Sequence, residues 1–225
     1  MSKTDETIMG VEEAGRGPIV GPMIITGVVF MKSDLPKLKE IGVKDSKMLS
    51  RKQREALFPK IQKIAKDYRI IEVSPQEIDQ RYAVGINLNK LEAIKFAELI
   101  NELKPDVAII DCPSPNPKGF EQYLSQFISH KCRIVCENYA DKNYLEVGAS
   151  SILAKVTRDW KIDEIAKAVG MPIGVGYPHD EVTLKFVEKA LKNKEWLNKY
   201  VRKTWLTFER VKNKKEQKKL GEFGD

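Results

Sequence analysis

The sequence predicts an α/β core followed by a helical appendage, on three observations. Short apolar runs rich in β-branched residues all lie before residue 137, segments of helical periodicity alternate with them, and beyond Pro178 only helical patterning remains. The boundaries read this way are a core over residues 1–180 and a helical C-terminal region over 181–225.

The elements follow in order. Ile8 to Val11 is a first strand, and after the turn GRGPIVGP the run Met23 to Phe30 is a second, placed beside it. Ser50 with Gln53 is a capping-box pair opening a helix whose Ala56, Leu57, Ile61, Ile64 and Ala65 share a face. Tyr68 to Val73 reads as a strand, Ser74-Pro75 with Glu77 as a short helix, and Leu88 to Leu103 as a long one stopped by Pro105. Val107 to Ile110 is wholly apolar and ends at Asp111, as expected of a buried central strand. Phe120 to Ile128 has a helical pattern and Arg133 to Cys136 that of a further strand. Tyr144 to Ala168 is a long helix, and 181–193 and 195–220 are two more.

Lys plus Arg number 39 against 32 Asp plus Glu, giving a net charge of +7 and favouring a polyanionic partner. Three cysteines, Cys112, Cys132 and Cys136, lack the CxxC pairs of a zinc site and read as reduced and mostly buried. There is no apolar leader, no apolar run approaches the roughly 18 residues of a membrane span, and a cytoplasmic location is expected. No GxxxxGK[ST] stretch is present, which argues against a P-loop nucleotide hydrolase.

A bare Glu12-Glu13 pair is ordinarily a solvated surface feature. Here Glu12 closes an apolar strand and is followed at once by small residues, and Asp111 closes a second such strand. Strand tips in one sheet are neighbours, and convergent carboxylates repel unless a hard cation such as Mg²⁺ lies between them. A metal site is the economical reading.

VEEAGRGPIVGP resembles the opening signature of type 2 ribonuclease H, in which a strand ends in Asp-Glu followed by AGRGP. DSKMLS (Asp45 to Ser50), AIIDCPSPNP (Ala108 to Pro117), ADKNYLEVGASSILAKVTRD (Ala140 to Asp159) and GVGYP (Gly174 to Pro178) resemble further blocks of that family in the same order. VRKTW, ending at Trp205, is similar to archaeal single-chain members. The resemblance implies a ribonuclease H-like mixed sheet flanked by helices. It implies four metal-binding catalytic carboxylates at Glu12, Glu13, Asp111 and Asp141, holding two Mg²⁺ or Mn²⁺ ions. The implied reaction is hydrolysis of RNA in RNA/DNA hybrids, and at single ribonucleotides in duplex DNA, leaving 3′-hydroxyl and 5′-phosphate ends. Backbone groups of Gly15, Arg16 and Gly17 are implied to grip the 2′-hydroxyl, and Tyr177 to pack on a neighbouring sugar; a plain tight turn and a half-buried loop aromatic are the bland readings.

One position departs from the pattern. Glu12 stands where the family has Asp, which moves the carboxylate outward by roughly 1.3 Å and predicts slowed catalysis with near-normal binding. Lys47, beside Asp45 and Ser46 and flanked by Lys44, reads as a phosphate contact or a solvated lysine. Arg202, Lys203, Arg210, Lys212, Lys214 and Lys215 read either as a basic surface for duplex phosphates or as part of an unstructured tail. Trp196, Val201, Trp205 and Phe208 read as core contacts, Arg158-Asp159 as a structural ion pair, and His130 and His179 as non-catalytic. A monomer acting on RNA/DNA hybrid and ribonucleotide-containing duplex is expected. The rival readings are a junction resolvase of the same fold and a non-catalytic nucleic-acid binder.

Overall fold

The computed structural model describes residues 5–43 and 46–221, with side chains through Lys214. Lys44, Asp45 and the Lys215 side chain therefore lie outside the described residues. The chain divides into two compact units: 1–14, 24–72 and 86–157 in the first, and 15–23, 73–85 and 158–225 in the second.

The first unit is built on a five-stranded mixed sheet. Its strands are β1 (Thr7–Ala14), β2 (Met23–Met31), β3 (Asp67–Val73), β4 (Val107–Asp111) and β5 (Arg133–Glu137), in the order β3-β2-β1-β4-β5. β1 runs antiparallel to β2, as a short connection allows, and parallel to β4, which in turn is parallel to β5. Burial on both faces explains why β1, β2 and β4 are almost continuously apolar.

The unit's helices are α1 (Leu35–Glu40), α2 (Arg51–Ile64), α4 (Leu88–Leu103), α5 (Pro117–Ser125), α6 (Ala140–Asn143) and the first half of α7 (Leu145–Val169); α3 (Pro75–Gln80) belongs to the second unit. Both halves of the capping box at Ser50 and Gln53 are formed, which is why α2 starts where the sequence predicts. α7 lies against the sheet at van der Waals distance. A Cβ on Gly10 would fall 2.1 Å from the Glu146 carbonyl oxygen, so only glycine admits the helix backbone there. Thr26 on β2 and Ser150 on α7 then exchange buried hydrogen bonds, each hydroxyl lying 2.9 Å from the other's carbonyl as acceptor, with the two hydroxyl oxygens 2.7 Å apart. Val28, Phe30, Leu38, Leu57, Ile61, Ile152, Leu153 and Val156 fill the space between sheet, α1, α2 and α7.

In the second unit the rest of α7 packs with α8 (Glu181–Ala190), α9 (Lys194–Tyr200) and α10 (Leu206–Gly221). The core there is Ile19, Val20, Ile162, Ile165, Phe186, Val187, Val201 and Phe208, with Trp196 stacked on Phe186.

Three sequence expectations are corrected. The helix read as Phe120 to Ile128 begins at Pro117, because Asn116 accepts the Gly119 N–H and proline at the first helical position needs no donor of its own. The helix read over 195–220 is two helices. Residues 201–205 leave helical geometry because Val201 bridges Val20 and the Arg202 N–H donates to the Ile19 carbonyl, so extended pairing competes with helix there. Of the cysteines, all free, only Cys112 is buried; Cys132 and Cys136 are half-buried. The short α1 and α6 lack the length for periodicity to reveal them.

Candidate active site

The carboxylates of the first unit are delivered by strand ends. β1 and β4 are in register through Val11 and Ile110, so Glu12 and Asp111 are the next residues along neighbouring parallel strands. Asp111 is also in register with Glu137 on β5. Beyond β5, Tyr139 adopts a left-handed conformation (φ 62°) that turns the chain into α6. The Ala140 N–H at the start of α6 donates to Asp111 Oδ1 at 2.9 Å. That bond fixes Asp111 and, one residue on, places Asp141 in the same end of the sheet.

The four acids differ in environment. Glu12 and Asp141 are buried, while Glu13 and Asp111 are half-buried. Burial is the largest cause holding the Glu12 carboxyl well above the usual range; the charges of Glu13 and Asp111 add to it, and Lys155 partly offsets them. Asp141 Oδ2 pairs with Lys47 Nζ at 3.0 Å, with the Lys47 side chain 58% exposed and that of Asp141 fully covered. Lys47 is thus oriented along an acid while its side chain remains largely open to solvent. Ser46 Oγ lies 3.0 Å from Ser151 Oγ on α7, and Lys155 Nζ donates to Ser151 Oγ at 2.6 Å. The Ser46–Ser151 contact thus ties the short turn carrying Lys47 to α7, where Ser151 orients Lys155. Lys155 escaped the sequence reading, although its position one helical turn after Ser151 carried the information.

The donor set fits a hard cation. Glu12 Oε2 and Asp141 Oδ1 are buried with no hydrogen-bond partner among the described residues, a costly state for carboxylate oxygens unless a ligand completes them. All four groups offer oxygen, as Mg²⁺ or Mn²⁺ prefers. Among the described residues no three such side chains already converge on one point closely enough to cage an ion.

The second unit holds the GRG turn and the GYP loop against each other. Gly15 (φ +82°) is a position where a Cβ would also meet the Pro22 carbonyl at 2.9 Å, and Gly176 (φ +85°) is equally closed by the Val20 carbonyl and Arg158. The Ile19 and Val20 N–H groups both donate to the Gly176 carbonyl, at 2.8 and 3.2 Å. Tyr177 sits at 3.6 Å from where a Gly17 side chain would start, with the Arg158 guanidinium 5.4 Å from its ring centre and the His179 ring 5.6 Å away. Asp180 secures the loop from below: its carboxylate accepts the Val175 N–H at 2.6 Å and the Val182 N–H at 3.0 Å, and so caps α8. Those bonds, Val175 first, hold the Asp180 carboxyl below the ordinary aspartate range.

Arg202 overturns an expectation. It does not belong to a basic surface; it is fully buried, with Nε donating to the Gly21 carbonyl at 3.0 Å, Nη1 to that of Arg16 at 2.9 Å and Nη2 to that of Gly15 at 2.6 Å. A surface assignment failed because its partners lie some 180 residues earlier in the chain, beyond any local pattern. Arg210, Lys212 and Lys214 are exposed, as read, and Lys203 is half-buried. Arg158 pairs with Asp159 at 3.7 Å as expected, and also donates to the Val175 carbonyl.

Comparison with known proteins accords with this geometry. The family model for ribonuclease HII matches residues 9–208. Ribonuclease HII of Thermococcus sibiricus is 42% identical over 212 residues, covering 93% of each chain. The crystal structure of ribonuclease H2 from Pyrococcus horikoshii OT3 has a TM-score of 0.83 at 37% identity, covering 92% of this chain and 98% of that one. Ribonuclease HII of Archaeoglobus fulgidus, solved in complex with PCNA, has a TM-score of 0.75 at 35% identity, over 83% of this chain and 88% of that one.

Proposed function

The chain belongs to the ribonuclease HII family, and on that premise we propose that it is a divalent-metal-dependent endonuclease for which Glu12, Glu13, Asp111 and Asp141 are the metal-binding catalytic residues. The observation that carries this reading is the pair of buried carboxylate oxygens on Glu12 and Asp141 that have no hydrogen-bond partner among the described residues, in register with or beside Asp111. Two Mg²⁺ or Mn²⁺ ions, when bound, would generate a hydroxide nucleophile from water and neutralise charge on the scissile phosphate. The protein's own part is to hold the acids. The Ala140 N–H keeps Asp111 oriented, Lys47 keeps Asp141 oriented, and Lys155 moderates the charge around Glu12. No side chain need act as nucleophile, and hydrolysis in this manner leaves 3′-hydroxyl and 5′-phosphate ends.

The substrate is the RNA strand of RNA/DNA hybrids and the single ribonucleotide embedded in duplex DNA, the latter placing the enzyme in ribonucleotide excision. Discrimination needs a contact to the 2′-hydroxyl, which donates and accepts hydrogen bonds. The backbone of Gly15, Arg16 and Gly17 supplies that contact, and Tyr177 packs on the adjoining sugar. Lys47 and the exposed Arg210, Lys212 and Lys214 in the 181–225 region add attraction to phosphates. The enzyme acts as a cytoplasmic monomer; among the described residues no helix is long and apolar enough to cross a membrane.

Glu12 slows turnover relative to aspartate, since its extra methylene displaces a ligand by roughly 1.3 Å. The deciding experiment is cleavage of matched RNA/DNA, single-ribonucleotide and all-DNA duplexes under Mg²⁺ and Mn²⁺, with Mn²⁺ calorimetry in parallel. Cutting of the two ribose-containing duplexes alone is expected. Equal cutting of all-DNA, or no Mn²⁺ binding, would overturn the reading.

A further inference from the structure

We propose that Arg202, together with Trp205, is a positioning residue that sets the peptide planes of the Gly15–Gly17 turn and thereby governs preference for ribose over deoxyribose. The proposal rests on the reading of that turn as the 2′-hydroxyl contact. Every carbonyl of the turn is held from one side: Gly15 and Arg16 by Arg202 at 2.6 and 2.9 Å, and Gly17 by Trp205 Nε1 at 3.1 Å. The described peptide bonds are all trans, and in a trans unit the N–H points opposite to the C=O. Holding the Gly15 and Arg16 oxygens therefore turns the Arg16 and Gly17 N–H groups away from Arg202. Residue 18 is proline, so the Gly17–Pro18 unit has no N–H to add. A buried positive charge on the carbonyl side also polarises both amides and strengthens them as donors.

The holding group is itself fixed. Two guanidinium groups approach the Trp205 ring, Arg81 at 5.1 Å and Arg202 at 5.0 Å from its centre. Asp79 on α3 accepts the Lys203 and Thr204 N–H groups at 2.8 and 3.1 Å and the Thr204 hydroxyl at 2.7 Å, and Arg81 donates to that hydroxyl at 3.0 Å. Burial lowers Arg202 to about 9, which leaves it charged at neutral pH. A buried cation is a poor source of stability compared with apolar packing. What Arg202 supplies is three donors in one rigid plane, a geometry that lysine cannot reproduce.

The test compares affinities, without added metal and in chelator, for two duplexes identical except for one ribonucleotide. Arg202→Met is expected to lower the wild-type preference for the ribose-containing duplex about tenfold, with all-DNA affinity unchanged. Arg202→Lys should recover part of it, and Trp205→Phe should lose about two- to threefold. An unchanged preference in Arg202→Met, or an equal loss on both duplexes, overturns the proposal. Should Arg202→Met not fold, Trp205→Phe decides: full retention of the preference overturns it and a selective loss supports it. A wild-type protein with no preference would show that the turn does not read ribose, a failure visible before any variant is made.

Discussion

The carboxylate cluster of the first unit and the GRG–GYP cluster of the second solve opposite problems. The first is made of side chains on strand ends and a four-residue helix, and two of its buried oxygens have no partner among the described residues. The second is made largely of backbone, and its carbonyls and loop amides are met by Arg202, Trp205, Asp180 and Thr183. On the proposed reading, a group that binds ions stays polar and incompletely paired until they arrive, at a cost in stability. A group that recognises one hydroxyl, as proposed for the GRG turn, gains by being rigid beforehand, because ordering it at the moment of binding would cost affinity.

That contrast can be broken most sharply at Asp141. Asp141→Asn is expected to lower hybrid cleavage by more than about a hundredfold, since loss even of groups that support metal ligands costs about 10- to 100-fold. Its melting temperature should stay within a few degrees of wild type; a collapse in stability would show that Asp141 is a structural acid. Next in size, Glu12→Asp should raise turnover under Mg²⁺ by up to about a hundredfold, the scale of a 1 Å misplacement, with KM little changed. Unchanged turnover would mean that the longer side chain is accommodated.

Asp180 probes the rigid cluster. Asp180→Ala removes a helix cap and the tie to Val175, and should cost about 1–2 kcal/mol of stability in urea unfolding, with weaker hybrid binding. The Asp180 carboxyl is depressed in the folded state, so its contribution is present above the unfolded value of about 3.9 and is lost as pH falls through the folded one. Wild-type and Asp180→Asn stabilities should accordingly converge below about pH 4; a constant difference down to pH 3 would contradict the assignment. The smallest effect is expected at Thr7, whose N–H and hydroxyl both donate to Asp106 at the end of β1 remote from Glu12. Thr7→Val should cost about 1 kcal/mol and leave turnover unchanged, so a loss of activity there would mean that strain in β1 reaches the acids.

Local patterns made much of the fold legible: the alternation of apolar runs with helical segments, the Ser50–Gln53 box, and Asp111 closing β4 all stand as read. The family blocks named the candidate acids and the two glycine-rich turns. Capping at Asn116, four residues before Phe120, the first apolar position of the helical pattern, moved the start of α5 forward. The break at 201–205 was invisible because its cause is pairing with residue 20.

What the sequence determined by itself is what depends on neighbours within a few turns: strand and helix identity, caps, and which residue types sit in each block. Which carbonyls Arg202 holds, why Lys47 faces Asp141, and how Ser46 comes to meet Ser151 were decided only by tertiary structure. Their partners are brought together from about 94 to 187 residues apart. At such separations a polar side chain carries no mark of whether it will meet water or a buried carbonyl, because that depends on packing and not on adjacent residues.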